Sequence, residues 1–170
     1  MDILIRKEKE KDIQAIESVI TEAFKDIPQS DGTEHLIVKQ LRDTDAMVLS
    51  LVAELDQEII GHIAFSEVKI GELDGKWYGL APLSIHPDHQ SKGVGSTLIN
   101  EGLRYLESMN AAGCILVGEP SYYSRFGFNT FDHLRCAGIP HEYVMGLCFS
   151  DCEPYGDILY DPAFNLEQDS

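Results

Sequence analysis

Several things are missing from this chain, and each absence closes off a class of protein. No apolar run approaches the length of a membrane-spanning helix. No charged-then-apolar leader opens it: Met1-Asp2-Ile3-Leu4-Ile5-Arg6 reads as a strand, and the expected location is the cytoplasm. Cations are scarce, 13 Lys and Arg against 29 Asp and Glu, a net charge of −16. Nucleic acid is a poor partner for such a surface, because phosphates need local cations. Cysteine is sparse too. Cys148 and Cys152 are spaced C-x-x-x-C, not C-x-x-C, and no matching histidine pair follows, so Cys114, Cys136, Cys148 and Cys152 read as buried or incidental thiols and no metal site is expected. Repeats and low-complexity segments are absent.

What remains is globular. Hydrophobic residues make up 44% of the chain, too many for a disordered segment, and 170 residues suit one domain, 1–170, with a sizeable core. After the first strand, Lys9 to Phe24 places Ile13, Ile16, Ile20, Ala23 and Phe24 on one helical face. Turn formers from Asp26 to Gly32 break that helix. Thr33 suits the cap of a second, with Leu36, Ile37 and Leu41 inward. Residues 47–55 and 58–70 read as strands around a tight Asp56-Gln57 turn, an antiparallel start to a sheet. Lys76 begins the next strand, and Pro82 interrupts it. A proline cannot donate to a ladder, so a buried strand must bulge there. Val94 to Met109 is amphipathic, with Leu98, Ile99, Leu103 and Leu106 inward and Gly113 as its stop. Cys114 to Val117 follows as a short buried strand, completing a parallel crossover. A brief helix then carries Tyr122 and Tyr123, Gly127-Phe128 leads to another strand, residues 131–142 are irregular, and Tyr143 to Cys148 is the last core strand. The tail is expected to be ordered near Tyr155 and frayed from Asn165 to Ser170. The fold class is mixed α/β.

One stretch carries the chemistry: His86-Pro87-Asp88-His89-Gln90-Ser91-Lys92-Gly93-Val94-Gly95-Ser96. It lies where a buried strand turns into a helix. The first amides of that helix have no intrahelical partner and sit at the positive end of its dipole, an arrangement suited to phosphate. Two phosphate loops are ruled out. The nucleotide loop needs its lysine after the glycine, and Lys92 precedes Gly93; the dinucleotide fingerprint needs a third glycine where Leu98 stands. The pattern Q-x-x-G-x-G fits in full as Gln90, Gly93 and Gly95, and a second block, Tyr122-Tyr123-Ser124-Arg125-Phe126-Gly127-Phe128, follows downstream. On these two blocks the chain resembles the GNAT superfamily of N-acetyltransferases, over most of its length, and a subgroup with a YYxRFGF block in particular.

The resemblance implies acetyl-CoA as co-substrate. Its pyrophosphate would rest on the amides of Ser91, Lys92, Gly93, Val94, Gly95 and Ser96, with Gln90 also among the cofactor-binding residues. Its pantetheine arm would pair with Leu83, Ser84 and Ile85 on the bulged strand, in a cleft opened by two splayed strands. The acceptor would be a primary amine, on a small molecule or a protein, attacking directly in a ternary complex. Tyr123, five residues before Phe128, takes the place of the family's acid for the leaving thiolate; Tyr122 is read as packing. The base stays open among His62, Glu67 and Glu119, since the segment Trp77 to Ile85 has no glutamate. The acidic balance suits a cationic acceptor. A homodimer is compatible with this reading. A non-catalytic acyl-CoA sensor or interaction module is the alternative, and nucleotide binding through the same loop a weaker one.

Overall fold

The structure, a computed structural model, describes residues 2–28 and 30–164. The expected fraying from Asn165 to Ser170 lies outside those residues. The elements run β1 (Leu4–Lys7), α1 (Ile13–Phe24), α2 (Glu34–Asp43), β2 (Met47–Leu55), β3 (Glu58–Ile70), β4 (Trp77–Ile85), α3 (Val94–Ser108), β5 (Gly113–Val117), α4 (Pro120–Tyr123), β6 (Leu134–Arg135), β7 (Val144–Cys148) and β8 (Gly156–Leu159). The main sheet has the order β1-β2-β3-β4-β5-β7. Every neighbouring pair in it is antiparallel except β4–β5.

The β2–β3 hairpin turns on two consecutive positive-φ residues, Asp56 at 50° and Gln57 at 69°. That geometry matches the twist of a two-residue hairpin loop. Side chains alternate across the sheet, so Val52 packs with Ile16, Ile20 and Val38 of α1 and α2, while Leu51 and Ala53 face α3. On the α3 face Leu98, Ile99 and Leu106 are fully buried against Ile63 and Phe65. Each such side chain contributes roughly 1.5–3 kcal/mol of gross hydrophobic stabilisation. Gly102 lets α3 settle on the sheet: a Cβ there would collide with the Phe65 ring.

β4 is the element that positions the site. It pairs with β3 throughout, but Ile63 faces Leu83 while Phe65 faces Leu80, so β4 advances three residues where β3 advances two. The extra residue falls at Ala81–Pro82, where the peptide is cis. This is the bulge that Pro82 requires. On its other edge β4 pairs with β5 only at Trp77, Tyr78 and Gly79, opposite Gly113, Cys114 and Ile115. β5 pairs with β7 from Gly113 to Val117, on its other edge, and its pairing with β4 ends at Ile115. The two parallel strands splay, as expected.

Other expectations need correction. Leu36 is exposed, and Val38 and Leu41 fill the inward face of α2, because Val38 is the residue that packs with Ile16, Ile20 and Val52. Thr33 does not cap α2 through its side chain; its hydroxyl bonds Asp31. The first helix begins with a 3-10 turn at Glu10–Asp12 before α1 proper. Gly113 does not stop α3, which ends at Ser108; it opens β5, where a side chain would strike Leu147 O and Trp77. Past Phe128 there is a single bridge, Asn129 to Gly146, rather than a strand. β7 is not the last strand. β8 follows, pairing with the end of β3 and with β6. Among the described residues, no helix is long and apolar enough to cross a membrane.

Candidate active site

The released half of β4 runs directly into the glycine loop. Gln90 is held back to the strand end, its side-chain amide donating to Ile85 O at 3.0 Å. Lys92 donates to Asp88 O at 3.3 Å, and the Asp88 amide donates to His86 Nδ1 at 3.1 Å. Two residues of the loop lie in the left-handed region, Ser91 at φ 62° and Gly93 at φ 85°. Glycine takes that conformation without strain, and Gly93 is the residue from which α3 starts. Thr97 is the first residue whose amide reaches a helical carbonyl, that of Gly93 at 3.1 Å. The amides of Val94, Gly95 and Ser96 therefore point out of the helix end with no intrahelical acceptor. The Val94 side chain is buried, so this residue can meet a ligand only through its backbone.

Gly95 is a point of close approach. A Cβ at this position would lie 3.0 Å from the Tyr122 hydroxyl, with Ile85 and Leu83 at 3.8 and 3.9 Å. The Tyr122 hydroxyl thus hangs over the first turn of α3, beside the released strand. This is a contact that sequence reasoning assigned to packing; two adjacent tyrosines on one short helix gave no signal of which reaches the loop. Arg125 stacks on the Tyr122 ring, its guanidinium carbon 4.8 Å from the centroid. Tyr123 meets Tyr122 edge-on at 4.9 Å and packs toward Phe126 and Phe128. Burial favours the neutral phenol of Tyr123, with Tyr122 adding to the effect, and its pKa is pushed up to about 12.

Leu83 and Ile85 are half-buried on the α3 side of β4, near Gly95, while Ser84 is buried on the other. The three base candidates separate clearly. Glu67 is a surface carboxylate 3.7 Å from Lys76. Glu119 precedes α4 and accepts a 3.4 Å bond from Ser121. His62 alone is fully buried, and burial lowers its pKa to about 4, with Glu8 opposing and Arg42 assisting that shift. A cavity of about 560 Å³ lies between α1 and the β2–β3 hairpin, walled by Arg6, Asp12, Glu22, Glu54, Glu58 and His86. Of the glycine stretch it touches only His86, so it is separate from the released strand edge.

Residues 13–128 match the Acetyltransferase (GNAT) family. The chain belongs to the GNAT acetyltransferase family. Among GNAT relatives, the uncharacterised N-acetyltransferase YhbS of Escherichia coli K12 is 36% identical over 137 residues, 79% of each chain. A GNAT acetyltransferase from Brucella melitensis, crystallised with acetyl-CoA, is 42% identical with a TM-score of 0.86, over 96% of this chain and 98% of that one. The crystal structure of E. coli YhbS with CoA gives 31% identity and a TM-score of 0.87, covering 96% and 92%. The mixed sheet with its bulged, splayed strand is thus the GNAT fold.

Proposed function

We propose that this protein is an N-acetyltransferase that moves an acetyl group from acetyl-CoA to a primary amine, directly, with both substrates bound together, and that it works in the cytoplasm. The observation that carries this reading is the edge of β4 from Leu80 to Ile85, released from β5 and ending in the glycine loop. An extended amide-bearing arm can pair with that edge as an added strand would. The free amides at Val94, Gly95 and Ser96 and the missing Cβ at Gly95 fit a pyrophosphate. The relatives crystallised with acetyl-CoA and CoA support the same ligand here.

In this reading Leu83, Ser84 and Ile85 offer backbone groups to the pantetheine arm, and residues 90–96 hold the phosphates. No enzyme-bound acyl group is needed, because alignment of the two substrates makes the attack effectively unimolecular. Tyr123 protonates the departing thiolate. The net charge of −16 favours an acceptor that carries positive charge before it binds. The test is acetyl-CoA consumption against a panel of monoamines, polyamines, arylalkylamines and lysine peptides, with product mass confirmed. Acetylated amine at a rate above thioester hydrolysis is the expected result. Tight acetyl-CoA binding with no amine product would favour the sensor reading.

A further inference from the structure

A chain of four side chains runs from the part-buried Arg42 and Glu8 to the buried Ser50 and His62 on the α1 face of the sheet. Arg42 of α2 grips Glu8 through Nε and Nη2 at 2.8 and 2.9 Å. Ser50 Oγ lies 2.6 Å from Glu8 Oε1 and 2.8 Å from His62 Nε2. Burial opposes ionisation of Glu8, but the hydrogen bonds from Arg42 and Ser50 more than offset it, and its pKa is lowered. Glu8 is therefore a carboxylate at neutral pH and can only accept. The single hydroxyl proton of Ser50 must go to it. Ser50 then has only lone pairs to offer His62, so the ring proton sits on Nε2 and the lone pair on Nδ1.

That lone pair has no hydrogen-bond partner among the described residues. Directly across in β4, His62 faces Ser84, whose Oγ is also buried and also without a partner. Residues opposed in this way project from the same face of the sheet with Cβ atoms about 4.5–5.5 Å apart. Ser84 belongs to the released half of β4, one residue beyond Leu83 and two beyond Pro82. A basic nitrogen with its tautomer set by two hydrogen bonds thus lies next to an unpartnered hydroxyl on the strand that borders the cleft. The other groups on this face are apolar where α1 covers it, namely Ile16, Val19 and Ile20; the charged groups acting on the ring are Glu8 and Arg42.

We propose that His62 is the proton acceptor for the incoming amine, reached from the cleft through a water at Ser84, with Ser50 and Glu8 as the positioning residues that hold the ring ready. This rests on the acetyl-transfer reading. As the amine nitrogen bonds the thioester carbon, its N–H bond breaks and the water takes that proton while passing one of its own to Nδ1. The imidazolium so formed donates from Nε2 to Ser50, which donates to the Glu8 carboxylate. The carbon–sulfur bond breaks and the thiolate takes the Tyr123 proton; His62 then releases its proton through the water to solvent and Tyr123 regains one from solvent, leaving amide and thiol with both residues as they began. Because burial makes the imidazolium costly, His62 carries the proton only transiently.

The test uses the purified chain, acetyl-CoA and the best amine of the panel. His62→Gln keeps a donor toward Ser50 and removes the base. Turnover is expected to fall by about 10²–10⁴-fold with acetyl-CoA affinity unchanged by calorimetry, and the loss should shrink as pH rises and hydroxide takes over the proton. Ser84→Ala leaves the Arg42–Glu8–Ser50–His62 chain whole and should lower turnover about tenfold or more, in the same pH-dependent manner. A His62→Gln enzyme with full turnover where chemistry limits the rate overturns the proposal. So does a loss that is flat with pH and matched by a loss of cofactor affinity, which marks a purely structural network. Should His62→Gln fail to fold, Ser84→Ala decides alone: unchanged turnover overturns the assignment. A wild-type chain that acetylates no amine fells the transfer reading itself, and this inference with it.

Discussion

The two halves of β4 are built for opposite purposes. From Trp77 to Gly79 the strand has a partner on each side and is sealed by Ile115, Val144 and Ile158. From Leu80 to Ile85 it has one partner, a bulge, and then a loop with two left-handed residues. Hydrogen bonds left unmade in a protein interior are costly, so a half-paired central strand persists only where something else can satisfy it. The closed half holds the fold and the open half is left for a ligand. A single strand serves both because its pairing with β5 stops after three residues while its pairing with β3 continues to Ile85.

Changes in the two halves should therefore have different readouts. Tyr123→Phe, next to the Tyr122 that borders the open half, keeps the ring and removes the proton. Turnover should drop by about 10²–10⁴-fold with acetyl-CoA affinity nearly unchanged, measured by steady-state kinetics under conditions where chemistry limits. The raised pKa of Tyr123 makes it a firm holder of its proton, so this donor works only if the thiolate is made more basic by the same apolar surroundings. Tyr122→Phe should affect turnover much less and cofactor affinity more, since its hydroxyl lies over Gly95.

In the closed half, Trp77→Ala empties a core position that is only 2% exposed. Thermal or urea unfolding should show a loss of about 3–5 kcal/mol, while the folded fraction binds acetyl-CoA as before. Gly95→Val does the reverse. It crowds Tyr122, Leu83 and Ile85 where the cofactor must pass, and calorimetry should show affinity reduced by roughly 5- to 150-fold, the equivalent of about 1–3 kcal/mol of overpacking. Undiminished binding would remove the loop assignment.

A further effect concerns pH. His62 has a folded pKa of about 4 against an ordinary value of 6.5. Below pH 6.5 the unfolded chain takes up a proton that the folded chain refuses. Stability is thus fully present above pH 6.5 and falls as pH drops toward 4, by up to about 1.4 kcal/mol per unit. Urea titrations from pH 7 to 4.5 should show that slope, and His62→Gln should flatten it. An equal slope in both proteins would mean another group is responsible.

Much of this could be read from the residues. The period of Leu98, Ile99, Leu103 and Leu106 locates α3, the glycine pattern locates the loop, and Pro82 locates the bulge, because each is a local signal with one physical cause. The misses were non-local. β8 is four residues long and shares two paired positions with β3 and two with β6, too little for a pattern to show. Leu36 is the local exception: a ten-residue helix tolerates two phases, and only its packing on the sheet decides between them. The buried chain from Arg42 to His62 joins residues separated by 34, 42 and 12 positions, so no window of sequence contains it.

The central claim is that the open half of β4 and the start of α3 together form the acetyl-CoA cleft. Amide hydrogen exchange with and without acetyl-CoA tests it residue by residue. Protection should rise within Leu83–Ile85 and across residues 91–96, and should stay unchanged from Trp77 to Gly79, where both edges are already paired. Protection that appears elsewhere, with the open half and the glycine loop unaltered, would contradict the account.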